Sequence, residues 1–210
     1  MSKGGEQKIS NEQHVHKDDI GSKMGMWLFL FTEILLFGGM FLVYAVYRYQ
    51  HIDQFRVAAM ELSTTLGTLN TIILLTSSLT MALSISAIQK GEKTFSILML
   101  SGTILFALMF MINKYFEWSA KFSHGIYPGS DELLNKQNGE ILFFGLYFVM
   151  TGLHGLHVII GIILLSIMLI FLLKDRINKN DFIKLENSGL YWHLVDLIWI
   201  FLFPLFYLIQ

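Results

Sequence analysis

Apolar residues in this chain gather into five long runs, at 24–47, 66–88, 95–112, 141–173 and 190–209. About 18 or more in succession are enough to cross the hydrocarbon core of a bilayer as a helix. The charged fraction of 15% lies well below the roughly 25% of soluble domains. The expected fold is all-α: a polytopic membrane protein with a polar tail at 1–23 and a bundle of five transmembrane helices at 24–210. Cysteine is absent, which excludes disulfides and thiolate metal sites. The net charge of −1 gives no basic face for nucleic acid.

The tail balances Lys3, Lys8, Lys17 and Lys23 against Glu6, Glu12, Asp18 and Asp19, and has no apolar core of a signal peptide. It reads as a mature cytoplasmic tail. His14 and His16 within it are two ligands without partners, so a solvated tail is expected there. Ile52, Phe55, Ala59 and Leu62 recur at helical spacing and predict a short helix, on the membrane surface or within the loop. The second run is rich in Ser and Thr and contains Asn70, a composition for close packing and interhelical hydrogen bonds. Gly145, Gly152, Gly155 and Gly161 give the fourth run small faces for the same purpose. Lys114, Tyr115, Phe116, Glu117 and Trp118 read as an extension of the third span into the interface, followed by turn chemistry through Gly125, Pro128 and Gly129. Pro204 predicts a kink, since it frees the carbonyl of Ile200.

With five spans, the tail and the loops after the second and fourth spans share one side. That side holds 10 of the 15 Lys and Arg. The bias places the N-terminus in the cytoplasm and the C-terminus outside.

Ionisable side chains lie within the apolar runs. Glu33 falls near mid-membrane, where carboxylates are rare and usually have a task. The first span offers it no partner within a turn. Two readings stand side by side: a functional carboxyl, and a protonated one bonded to a neighbouring helix. His154 and His157 share a helix face, as do His193 and Asp196. Depth argues against a joint metal or haem site. His157 lies roughly 24 Å before the inner end of the 141–173 span, whereas His193 lies close to the inner end of the 190–209 span. No Glu-x-x-His pair recurs on two helices, as a di-iron bundle requires. Each imidazole is expected to bond a carbonyl or side chain of a neighbouring helix. No nucleophile with an adjacent base and no phosphate loop is visible, so no catalytic residue is assigned.

The run Thr151-Gly152-Leu153-His154-Gly155-Leu156-His157-Val158 resembles the signature of subunit III of the haem–copper oxidases. The last span, with Tyr191-Trp192-His193, Val195-Asp196, Trp199, Phe201-Leu202-Phe203 and Tyr207, is similar to that family's C-terminal helix. Thr32-Glu33-Ile34-Leu35-Leu36-Phe37 and Leu66-Gly67-Thr68-Leu69-Asn70-Thr71 follow its pattern. So do Lys114, Glu117-Trp118, Lys121-Phe122 and His124-Gly125. The longer members have seven spans, with a lipid-filled cleft between the first two and the remaining five. The two N-terminal helices are absent here, and such a cleft cannot form within this chain alone.

The resemblance implies a five-helix subunit III of an aerobic bacterial terminal oxidase in the cytoplasmic (inner) membrane. Such a subunit carries neither haem nor copper, which belong to partner subunits; a structural phospholipid is a further expectation. It packs on subunit I, within a complex that includes subunit II and further subunits, supports proton uptake, and protects the complex in turnover as O2 is reduced to water. Glu33 matches the family's membrane-embedded carboxylate. Asn70, Glu117, His154, His157, His193 and Asp196 are expected to serve as interhelical polar contacts. The preferred complex is a cytochrome c oxidase; the alternatives within the superfamily are a quinol oxidase and an accessory protein of nitric oxide reductase. From other classes, a proton-coupled transporter would show repeats or broken helices, which the sequence lacks, and a haem carrier using His154 and His157 would absorb visible light.

Overall fold

The computed structural model describes residues 3–179 and 181–209, with side-chain surroundings from Ile20 onward. His14, His16 and their tail side chains lie outside the described side chains. The elements are α1 (Lys3–Gln50), α2 (Ile52–Ala59), α3 (Thr64–Lys90), α4 (Lys93–Ser123), α5 (Asp131–Leu134), α6 (Asn138–Leu173) and α7 (Ile183–Tyr207). Five of them, α1 from Ile20, α3, α4, α6 and α7, are long and apolar enough to cross a membrane. No strand occurs among the described residues, and the expected all-α, five-span architecture holds.

The helices run longer than the apolar runs alone predict, because polar residues at their ends find partners. α4 continues about three turns past Ile112 to Ser123. Its end is closed by Gly125 at φ 70°, with the Ile126 amide donating back to the Lys121 carbonyl at 3.0 Å. α3 ends in the same way on Gly91 at φ 87°. α6 does so on Asp175, which adopts φ 59° without being glycine. The Asp175 carboxylate accepts from Lys93 at 2.7 Å, tying the α3–α4 turn to the α6–α7 loop. α7 starts at Ile183 and passes through Pro204 to end one turn later.

α2 is a loop helix docked inward. Phe55, Ala58 and Ala59 are buried, and the Phe55 ring meets Tyr44 of α1 and Phe143 of α6 edge-on. The Gln54 side-chain oxygen accepts from the Gly139 amide at 2.6 Å, satisfying an orphan donor at the start of α6. On the same side, Lys136 pairs with Glu61 and lies 3.5 Å from Glu140. Partial burial opposes the charge on Lys136, but the Glu61 hydrogen bond and the two carboxylates hold its pKa above the ordinary lysine value.

α7 is the central helix, packed against α1, α3 and α6, while α4 closes the bundle between α3 and α6. α1 is the outlier: Leu30, Phe37 and Tyr44 form its only fully buried stripe among the described residues, spaced by two helical turns. Glycines mark close approaches between helices. A Cβ on Gly161 would lie 2.7 Å from the Trp192 ring, and one on Gly67 would lie 2.8 Å from Tyr207. Gly152 sits against Trp118, but Gly145 and Gly155 face open space, so only part of the expected glycine face of α6 is a packing face.

Several hydroxyls of α3 point into the bundle and bond across it, while Thr68 and Thr76 donate to carbonyls of their own helix. Ser84 meets Ser96 at 3.0 Å and Thr80 meets Thr103 at 2.8 Å, both on α4. On the α7 side, Trp192 donates to Ser77 at 2.9 Å and Trp199 to Thr71 at 3.1 Å. Close packing with interhelical hydrogen bonds is therefore what the Ser/Thr content serves.

Candidate functional site

Glu33 meets a partner that its own helix does not provide. Glu33 Oε2 lies 2.9 Å from His157 Nε2, across the α1–α6 seam. His157 Nδ1 donates to the Leu153 carbonyl at 2.8 Å, one turn back on α6. A carbonyl only accepts, so Nδ1 holds a hydrogen, and a single hydrogen then joins Nε2 to Oε2. Carboxylic acid with neutral imidazole and carboxylate with imidazolium fill this geometry equally, and both are net neutral. The Phe37 ring packs edge-on against His157 at 5.4 Å. The side chains remain 14% and 10% exposed, at the margin of the bundle rather than in its centre.

A second cluster lies deeper, toward the C-terminal end of α4. Lys114, expected in the interface, and Glu117, expected both there and as an interhelical polar contact, are 7% and 6% exposed. The correction has a clear cause: α4 stays helical past Ile112, and tyrosines from α6 and α7 enclose both groups. Lys114 donates to Glu117 at 3.1 Å, to Tyr147 at 3.2 Å and to Tyr207 at 3.0 Å. Both tyrosine hydroxyls donate to Glu117 Oε1, at 2.6 and 2.5 Å. All three ammonium hydrogens are used, and the carboxylate accepts three bonds. The Trp199 ring lies 5.3 Å from the ammonium. Tyr147 escaped the sequence reading, although its spacing to Thr151 and His154 places it on their helix face.

The other polar residues separate into bonded and unbonded groups. Asn70 accepts from Asn113 at 3.0 Å, and His193 Nδ1 lies 2.7 Å from Ser78 Oγ, each an α3 bridge to a neighbouring helix. His154 is enclosed by the Phe110 and Trp199 rings, and among the described residues neither of its nitrogens has a hydrogen-bond partner. Asp196 is 3% exposed, and among the described residues Ser78 is the polar side chain that acts on its carboxyl.

His193 lies deeper in its helix than its place in the 190–209 run predicts. α7 begins at Ile183, so His193 stands near mid-helix rather than close to an end. The Tyr191 hydroxyl donates to the His157 carbonyl at 3.1 Å, which puts this part of α7 level with His157. The histidines nevertheless face different helices. Among the described residues, no group of three or more His, Asp or Glu is arranged to hold a metal ion.

The family profile described as Cytochrome c oxidase subunit III matches residues 6–210. A heme-copper oxidase subunit I+III from Aeropyrum pernix is 30% identical over 199 residues, which cover 92% of this chain and 23% of that protein. A probable quinol oxidase subunit 3 from Staphylococcus saprophyticus is 28% identical over 200 residues, 94% of this chain and 93% of that one. A cytochrome c oxidase subunit 3 from Thermostichus vulcanus is 29% identical over 197 residues, 93% and 91% of the two chains. The chain thus spans about a quarter of the fused relative and nearly all of the two shorter ones. Since the match runs through all five apolar helices and takes in both polar clusters, the chain belongs to the cytochrome c oxidase subunit III family.

Proposed function

We propose that this chain is the non-catalytic subunit III of an aerobic respiratory terminal oxidase in a bacterial cytoplasmic membrane. It lies against subunit I, with its N-terminus in the cytoplasm, and supports proton uptake and durable turnover while partner subunits carrying haem and copper reduce O2 to water. The observation that carries the reading is the Glu33–His157 pair. A hydrogen shared by these two side chains in the α1–α6 seam, at the bundle's margin, supports a part in proton uptake beside a neighbouring subunit. The relative that joins subunits I and III in one chain supports direct contact with subunit I.

A cytochrome c oxidase is the preferred complex. A quinol oxidase is the second reading, favoured by the identity that extends over nearly all of the staphylococcal relative. The donor docks on other subunits, so the role of this chain is the same in both. A structural phospholipid belongs to the proposal as well.

A tag on this chain, followed by a haem spectrum and mass spectrometry of what is purified with it, tests the assignment. Co-purification of subunit I with its haem signal is expected. A chain that purifies alone from respiring membranes, or with an unrelated transporter, would defeat it.

A further inference from the structure

A groove of about 570 Å³ runs between α4 and α6, within the size range of small-molecule sites. We infer that it seats one acyl chain of a membrane phospholipid, in the leaflet into which the C-terminus of α4 runs. This names a site for the structural phospholipid of the accessory-subunit reading.

Length is the first argument. The lining extends on α4 from Phe110 to Phe122 and on α6 from Thr151 to Ile159. At helical rise these are about 18 and 12 Å, close to the roughly 15 Å of one leaflet's hydrocarbon. A groove made for a partner helix would continue through both leaflets. Chemistry is the second. The lining is mostly aromatic, aliphatic and glycine, and its one charged group, Lys114, already donates to three oxygens of the bundle. Nothing in the groove calls for an anion, which suits a chain rather than a headgroup. Placement is the third. Tyr115, Trp118 and Phe122 form the rim at the end where aromatic side chains favour the membrane–water interface. Gly155 lines the wall, and a Cβ there meets nothing within 4 Å. The space beside it is open to an occupant rather than filled by a neighbouring helix.

The chain's tryptophans allow a direct test. Trp192 and Trp199 are fully buried, and Trp27 is exposed. In a Trp27→Phe background, Trp118 is therefore the tryptophan that lipid can reach. The full chain would be reconstituted in vesicles of phosphatidylcholine brominated on its acyl chains. Trp118 fluorescence should be quenched, and a further Gly155→Phe change, which fills the groove without displacing a helix, should lower the quenching at least twofold. Native mass spectrometry after detergent exchange should find one retained phospholipid on the Trp27→Phe chain and none with Gly155→Phe added. Equal quenching and equal retention in the two proteins would overturn the assignment. Quenching without retention would overturn it too, since it would mark ordinary boundary lipid. An assembled complex in which this phospholipid is missing would show a partner subunit in the groove instead. Neither measurement reads oxidase activity, so failure here leaves the accessory role standing, and failure of that role leaves the groove's occupant to be judged by these experiments alone.

Discussion

Two residue pairs hold the ionisable groups of the bundle in different ways. Lys114 and Glu117 are a buried charge pair whose hydrogen-bonding capacity is filled by Tyr147 and Tyr207. Removing one member of such a pair leaves a buried charge uncompensated, at about 3–5 kcal/mol. Lys114→Met should therefore lower the unfolding temperature of the detergent-solubilised chain sharply. Adding Glu117→Leu should recover much of the loss, because the stranded carboxylate is gone; a double variant as unstable as the sum of the two single changes would refute this account. Glu33 and His157 share one hydrogen at the bundle's edge. Glu33→Gln keeps the shape and a donor toward Nε2 but cannot give up a proton. The assembled oxidase should run its first turnovers at near-normal speed, then pump protons less efficiently or lose activity sooner. Complete loss of O2 reduction in a fully assembled Glu33→Gln complex would make the residue catalytic and contradict the accessory role.

At the level of helices, packing is set where a ring meets a missing side chain. The α6–α7 contact is closest at Gly161, over which the Trp192 indole lies. A Leu at this position cannot enter without moving a fully buried ring or the helix behind it. Overpacking of this kind costs about 1–3 kcal/mol, so Gly161→Leu should reduce thermal stability and the amount of subunit retained in the complex. Gly155→Ala, on the same helix but facing open space, is the control and should change neither. Wild-type stability in Gly161→Leu would mean that the seam is looser than the ring contact implies. α1 depends on less: Leu30, Phe37 and Tyr44 bury its inner stripe, and the Tyr44 hydroxyl donates to the Leu205 carbonyl of α7. Its outer face presents Trp27, Leu28, Phe31, Leu35 and Leu42 to lipid or to a neighbouring subunit.

For the molecule as a whole, the proposed orientation rests on the side that holds 10 of the 15 basic residues. The chain has no cysteine, so single cysteines report without background. Ser2 and Gln210 lie outside the described residues, and two exposed loop positions serve better: Glu92 between α3 and α4, and Asn135 after α5. A membrane-impermeant thiol reagent added to whole cells should label Glu92→Cys weakly or not at all and Asn135→Cys strongly. The reverse pattern would invert the topology, and with it the leaflet in which the α4–α6 groove lies.

The sequence by itself determined the number of spans and their helical form, because hydrocarbon leaves a long apolar backbone few other ways to satisfy its amides. The motif residues around Glu33, His157 and Asp196 also marked the family before any contact was known. Tertiary structure decided the rest. Glu33 has no partner in its own span, and only the α1–α6 crossing brings His157 to it. Lys114 and Glu117 look like interfacial residues along the chain, and only the approach of Tyr147 and Tyr207 makes them a buried network. The apolar run alone puts His193 near a helix end, whereas α7 starts at Ile183 and leaves it near mid-helix. The physical reason is that apolar periodicity reports which residues lipid accepts, whereas the partners of Glu33, Lys114 and Glu117 on other helices lie thirty or more residues away, and their positions follow from how the helices pack.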